Sequence, residues 1–169
     1  NSAVGSEGGI LSGWKMSNAD MPARIKESDS ETPYMTRRAI EYIKGQDQKP
    51  WCLHLSYIKP HWPYMAPAPY HALYSAEDCL PPRRDEAERE NAHPLHQGYM
   101  NHPESIVFSD LERRQKILPT YMGLIKQIDD QIGVLLDYLE ESNLMANTMI
   151  VFTSDHGDQM GDHWLGEKE

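Results

Sequence analysis

One apolar, β-branched run near the carboxyl end, Met149-Ile150-Val151-Phe152-Thr153, constrains the fold of this chain more than any other stretch. Its composition predicts a buried strand, and it stops abruptly at Asp155 and His156, with Gly157 free to turn the chain. A strand of this kind delivers a carboxylate and an imidazole at its carboxyl end, where ligands of α/β sheets bind. Together the two side chains offer a hard oxygen and a neutral nitrogen to one divalent cation, a pairing that suits metals from magnesium and manganese to zinc. On these residues alone a polar surface loop, with Asp155 as a turn or capping residue, is equally open.

What precedes this run narrows the topology. From Ser109 to about Ser142 the apolar residues Tyr121, Leu124, Ile125, Ile128, Ile132, Leu135, Leu136 and Leu139 recur in steps of three and four. Ser109 with Glu112 resembles a capping box, and Pro119 is expected to kink or restart the helix. Asp129, Asp130 and Asp137 are expected on its solvated face. Further upstream, Tyr34 to Lys44 predicts a short amphipathic helix with Thr36 as a cap and Gly45 as its end, and Trp51 to Ile58 predicts a second buried strand. Strand, helix, strand makes a parallel α/β unit. Residues 1–33, rich in Gly, Ser and acids, are expected as a poorly structured linker, and residues 34–169 as part of one α/β domain.

The second strand also ends in chemistry, at Lys59-Pro60-His61-Trp62-Pro63-Tyr64. Two prolines stiffen the backbone around His61 and remove amide donors, which makes a rigid platform for an imidazole; packing of His61 on its aromatic neighbours is the competing reading. His54, inside the strand, is expected to pack in the core. Residues 75–110 form a polar stretch in which His93, His96 and His102 lie among prolines and acids without cysteine partners or helical spacing, so a solvated insertion is expected rather than a zinc site. Its expected roles are shaping the substrate entrance or making a homo-oligomer contact.

The net charge of -10 over 169 residues excludes a nucleic-acid surface, which needs clustered Lys and Arg. No apolar run approaches a membrane span, in keeping with a mean hydropathy of -0.68. Cys52 and Cys79 make no disulfide framework and are expected as a buried thiol and a loop thiol. The chain begins without Met and ends inside a polar block, so it is expected to be an internal piece of a longer protein whose compartment the sequence leaves open, with a cytoplasmic location favoured over a periplasmic or secreted one.

Two blocks carry a family resemblance. Ser154-Asp155-His156-Gly157, then Gly161-Asp162-His163, then Lys168, resembles the second metal-binding block of the sulfatase and phosphonate monoester hydrolase branch of the alkaline phosphatase superfamily. Lys59-Pro60-His61-Trp62-Pro63 resembles the segment whose histidine contacts the ester, and the continuation Met65-Ala66-Pro67-Ala68-Pro69-Tyr70-His71 is closer to the phosphonate monoester hydrolases. The resemblance implies an alkaline-phosphatase-like α/β fold with a largely parallel central sheet flanked by helices, here in part. It implies Asp155 and His156 as ligands of one divalent metal ion (Mn, Ca, Mg or Zn). It also implies His61 and Lys168 as catalytic and substrate-binding groups, with His163 as a further substrate contact; Lys59 and His71 rank below these. The substrate implied is a small anionic ester, a phosphonate monoester or phosphodiester, with arylsulfatase activity as the alternative and a non-catalytic binding module as a further one. Cys79-Leu80-Pro81-Pro82-Arg83 imitates the motif whose cysteine becomes the formylglycine nucleophile, but it follows the His-bearing strand instead of preceding it, so the nucleophile is expected upstream of Asn1.

Overall fold

The apolar pattern of residues 111–141 folds as one long helix, and everything else is arranged around it. A computed structural model describes residues 2–47 and 49–168. Helix α5 (Leu111–Glu141; the shorter helices α1 to α4 are placed below) is capped by Asp110, whose Oδ1 accepts from the amides of Glu112 at 3.0 Å and Arg113 at 3.3 Å. The expected capping residue, Ser109, instead donates its hydroxyl to Ser105 O at 2.9 Å. Asp110 does the same chemistry one residue later, with its carboxylate also matching the positive end of the helix dipole. Pro119 lies buried inside α5 without dividing it. The backbone hydrogen bond it removes is offset by the packing of Ile117, Leu124 and their neighbours in the core.

Polar side chains on the buried face of α5 fix what packs on it. Thr120 donates to Ala19 O at 2.8 Å, and Gln127 donates to Ser30 Oγ at 2.9 Å. Arg114 sends Nε to Met160 O at 2.7 Å and Nη1 to Leu80 O at 2.9 Å. Each bond satisfies a group that would be costly to bury alone, and each ties α5 to a different segment. Helix α1 (Glu31–Lys44) lays Thr36, Ala39 and Ile43 inward and packs along α5. It begins three residues before the expected start, and Thr36 does not cap it: the Thr36 hydroxyl bonds Thr32 O at 3.2 Å and the Tyr57 hydroxyl at 2.7 Å. The main core joins Ala19, Tyr64, Phe108, Ile117 and Met160, and a second cluster joins Met100, Trp164 and Leu165.

Several expectations are corrected. Residues 1–33 are not simply linker: β1 (Ser2–Val4) and β2 (Ile10–Ser12) pair antiparallel, closed by a Gly5-to-Gly9 turn, with pairing too short to leave a periodic signal. The polar stretch 75–110 holds α2 (Glu86–Glu90), α3 (Pro94–Met100) and α4 (Pro103–Ser109), and Phe108 is fully buried. Pro94 and Pro103 open their helices directly after His93 and His102, where a missing amide costs nothing. The histidines there have structural partners: His93 accepts from the Leu95 amide at 3.2 Å, and His102 pairs with Glu104.

Neither predicted strand is buried as expected. Along residues 51–58 exposure alternates strictly, with Trp51, Leu53, Leu55 and Tyr57 against the body and Cys52, His54, Ser56 and Ile58 outward. A period of two is that of an extended segment lying with one face on the protein, so His54 and Cys52 are exposed instead of buried. Residues 149–152 are more open still, with Met149 89% and Phe152 79% exposed. No described strand lies beside either segment, and the one ladder among the described residues is β1 with β2. No helix among them is long and apolar enough to cross a membrane.

Candidate active site

Two loops meet at the candidate site. The first follows residues 51–58: Lys59, Pro60, His61, Trp62 and Pro63 turn the chain toward the core residues Tyr64 to Ala66. His61 Nδ1 lies 2.7 Å from the carbonyl of Trp62, which can only accept, so this nitrogen carries the proton. Its Nε2 is left with a lone pair, and the ammonium of Lys168 donates to it at 2.9 Å. The two residues taken from the sequence as catalytic, 107 positions apart, are thus in direct contact.

The second loop supplies Lys168 and is held on both sides. Backbone amides of Gln159, Met160 and Gly161 donate to the carbonyls of Glu167, Gly166 and Leu165 at 2.7, 2.8 and 2.8 Å. Gly161 closes the turn at φ 97°, and a Cβ there would lie 2.9 Å from Phe108 O. Gly166 donates its amide to Ser105 Oγ at 2.9 Å, and a Cβ there would lie 2.8 Å from the Glu104 carbonyl carbon. Sequence reasoning quoted Gly161 only as part of a motif and did not single out Gly166, since the close approach at both is made by α4, far away in the chain.

Acidic groups gather behind the pair. Burial, with Glu104 and Asp158 nearby, pushes the Glu167 carboxyl above its ordinary range, and Glu167 Oε1 is buried without a hydrogen-bond partner. Burial and then Asp158 and Glu167 push the Tyr64 hydroxyl far up, and Tyr121 is raised to about 12 by burial and Asp158. Glu167 was not recognised from the sequence, because nothing in a single polar block reveals which of its acids turns inward.

Asp155 and His156 sit side by side in an exposed stretch, the Asp155 side chain 87% exposed. His156 Nδ1 lies 2.9 Å from Gly157 O and therefore carries a proton, which leaves the lone pair to Nε2, 3.5 Å from Asp155 Oδ2. A carboxylate oxygen and an oriented imidazole nitrogen at this spacing fit two positions around one divalent ion. No group of three or more His, Cys, Asp or Glu suited to a metal is present among the described residues.

The remaining candidates are drawn elsewhere. His163, in a left-handed backbone conformation, bonds Glu88 through Nδ1 at 2.9 Å, and its amide donates to Arg83 O at 2.8 Å. It anchors residues 83–88 and makes no described bond to His61 or Lys168. His71 lies in the turn Tyr70–Ala72 with Nδ1 buried and unpartnered. Cys79 touches Ser75 O and Met122 Sδ, and burial pushes its thiol up, away from the thiolate a nucleophile requires.

A histidine and a lysine in contact form one pair of candidate site residues, and a carboxylate and an imidazole able to share a cation form another. Comparison with known proteins gives the family. The family model described as Sulfatase matches residues 12–169, and the chain belongs to that family. It is 43% identical over 159 residues to the multifunctional alkaline phosphatase superfamily protein PehA of Trinickia caryophylli, covering 86% of this chain and 31% of that protein. It is 32% identical over 143 residues to an arylsulfatase of Clostridium perfringens, covering 84% and 29%. Among solved structures it superposes on the phosphonate monoester hydrolase SpPMH of Silicibacter pomeroyi with a TM-score of 0.81 at 27% identity, covering 96% of this chain and 33% of that one. The phosphonate monoester hydrolase of Agrobacterium radiobacter gives 0.77, also at 27% identity, covering 89% and 32%. The fold is therefore part of the α/β architecture of this family, represented here mainly by its helices, and the chain spans about a third of the length of these relatives.

Proposed function

We propose that this chain supplies part of the active site of a metal-dependent hydrolase of small anionic esters, most readily phosphonate monoesters or phosphodiesters. The observation that carries the reading is the 2.9 Å contact between Lys168 Nζ and His61 Nε2. Lys168 places a positive charge where a tetrahedral anion would sit, and its proton, shared with His61, is available to the departing oxygen. Asp155 and His156 would hold the divalent ion, which when bound lowers the barrier by neutralising charge on the ester oxygens. The nucleophile, a formylglycine in this reading, lies outside residues 1–169 and attacks to give a covalent enzyme intermediate that is then resolved. His163 anchors Glu88, which leaves substrate contact to His61 and Lys168.

The 43% identity to PehA and the likeness to two phosphonate monoester hydrolases support the phosphorus substrate. The arylsulfatase relative supports sulfate esters as the second reading, since sulfate presents the same charged tetrahedron. The test uses the whole protein that carries this sequence, comparing wild type with Asp155→Ala on nitrophenyl esters of a phosphonate, a phosphate diester and a sulfate. Metal-dependent turnover that the substitution abolishes is expected, fastest on the phosphonate or diester. Fastest turnover of the sulfate would move the assignment to arylsulfatase, and none on any ester by folded, metal-loaded protein would sink it.

A further inference from the structure

The ammonium of the first loop, that of Lys59, has no part in the reaction described above, yet the loop is folded around it. Lys59 Nζ donates to His61 O at 3.0 Å and to Pro63 O at 2.9 Å. Pro60 and Pro63 bring no amide hydrogens, and among the described residues no backbone amide outside helices and strands donates to these carbonyls. The one backbone bond closing the turn runs from the His61 amide to Ile58 O at 3.1 Å. The two carbonyls bound by Lys59 flank Trp62, whose own carbonyl accepts the His61 Nδ1 proton at 2.7 Å. A continuous line of bonds therefore runs from Lys59, through the backbone of residues 61–63, to the imidazole and on to Lys168.

The ammonium is held in a half-buried setting, beside a cavity shared with Glu31, Met65, Leu124 and Gln127. Burial lowers its pKa to about 8, with Glu31 opposing the shift, so it is still largely charged near neutral pH. Charged donors make stronger bonds to carbonyls than neutral ones, which suits a clamp in a loop poor in other bonds.

We propose that Lys59 is a positioning residue for His61: by gathering the carbonyls of His61 and Pro63 it fixes the Trp62 carbonyl that aims the imidazole at Lys168. The consequence for turnover rests on the function proposed above; the consequence for the geometry of His61 does not. Two measurements on the whole protein separate them. The first follows carbethoxylation of His61 by diethyl pyrocarbonate, read by peptide mass, with exposed His93 as internal control. Lys59→Met is expected to free Nε2 and raise the His61 rate severalfold while His93 is unchanged, and Lys59→Arg is expected to restore slow modification. An unchanged His61 rate in Lys59→Met would overturn the proposal. Should Lys59→Met not fold, Lys59→Gln, with one shorter neutral donor, carries the same comparison.

The second measurement is a double-mutant cycle in turnover. Lys59→Met is expected to lower kcat by about 10- to 100-fold with KM changed by no more than about twofold, and to cost nothing further in the His61→Ala background. An equal loss in both backgrounds would show a role that does not pass through His61 and would also overturn the proposal. If the wild type turns over no ester, the proposed function falls, and the modification rates alone decide the clamp.

Discussion

The contact between Lys168 and His61 sets a directional expectation at the scale of single residues. Lys168 donates to an imidazole that already uses its other nitrogen on Trp62 O, so the pair shares one proton along one line. Removing the ammonium with Lys168→Met takes away charge that matters most as the transition state forms. A fall in kcat of about 100- to 1,000-fold is expected in the whole protein, measured on its best ester. Glu167 next door predicts a pH effect of opposite sense to the usual carboxylate. Its pKa is raised by burial, then by Glu104 and Asp158, so the folded state favours the neutral form. The stability this contributes is complete below the ordinary Glu pKa and is lost as pH rises through the elevated value. Glu167→Gln is therefore expected to be increasingly more stable than wild type as pH rises from acid toward neutrality. A Tm difference that does not grow with pH would contradict this. His61 and Lys168 were each named from the family resemblance of their own block, and their direct contact was not foreseen. The inward turn of Glu167 and the clamp of Lys59 were not legible, because burial and carbonyl orientation have no signature in residue order.

Elements show where periodicity informs and where it misleads. The steps of three and four over residues 121–139 named α5 correctly, since a helix read from its apolar stripe needs no partner to be recognised, but of the residues in that stripe only Leu124 and Leu139 are buried and Ile125 is exposed. Helices α2 to α4 were missed for the opposite reason: at five to seven residues they are too short to build a stripe, and the start signals of α3 and α4 were His-Pro pairs that read as loop. Glycines mark where elements touch. At Gly123 in α5 a Cβ would lie 2.1 Å from Tyr70 O, and at Gly166 one would press on the backbone of α4. Neither neighbour is a flexible side-chain tip. Gly123→Ala must part α5 from residues 70–72, although alanine is the better helix former. A net loss of about 1–3 kcal/mol is expected in denaturant unfolding, and a gain in stability would show that the packing there is loose. The same change at Gly166 is expected to lower kcat as well, because Lys168 follows two residues later in the loop that α4 supports.

The scale of the whole molecule decides how the run Met149-Ile150-Val151-Phe152 should be understood. Its composition is that of a strand buried on both faces, yet in residues 2–168 Met149 is 89%, Val151 75% and Phe152 79% exposed with no neighbouring strand described. The segment 51–58 likewise turns Ile58 outward at 60% exposure. The relatives are about three times longer than this chain, and the fold shared with them is an α/β architecture in which such runs are interior. A polar charge on the run should then have opposite effects in two settings. In residues 1–169 alone, Phe152→Asp removes an exposed β-prone apolar surface and is expected to raise the soluble fraction and lower self-association, measured by light scattering. In the whole protein the same substitution buries an unpaired carboxylate where an aromatic ring belonged, and a loss of about 3 kcal/mol or more is expected, seen as a drop in Tm. An unchanged Tm in the whole protein would mean that the run is a true surface, and that the strand character of its residues serves contact with another molecule rather than the sheet.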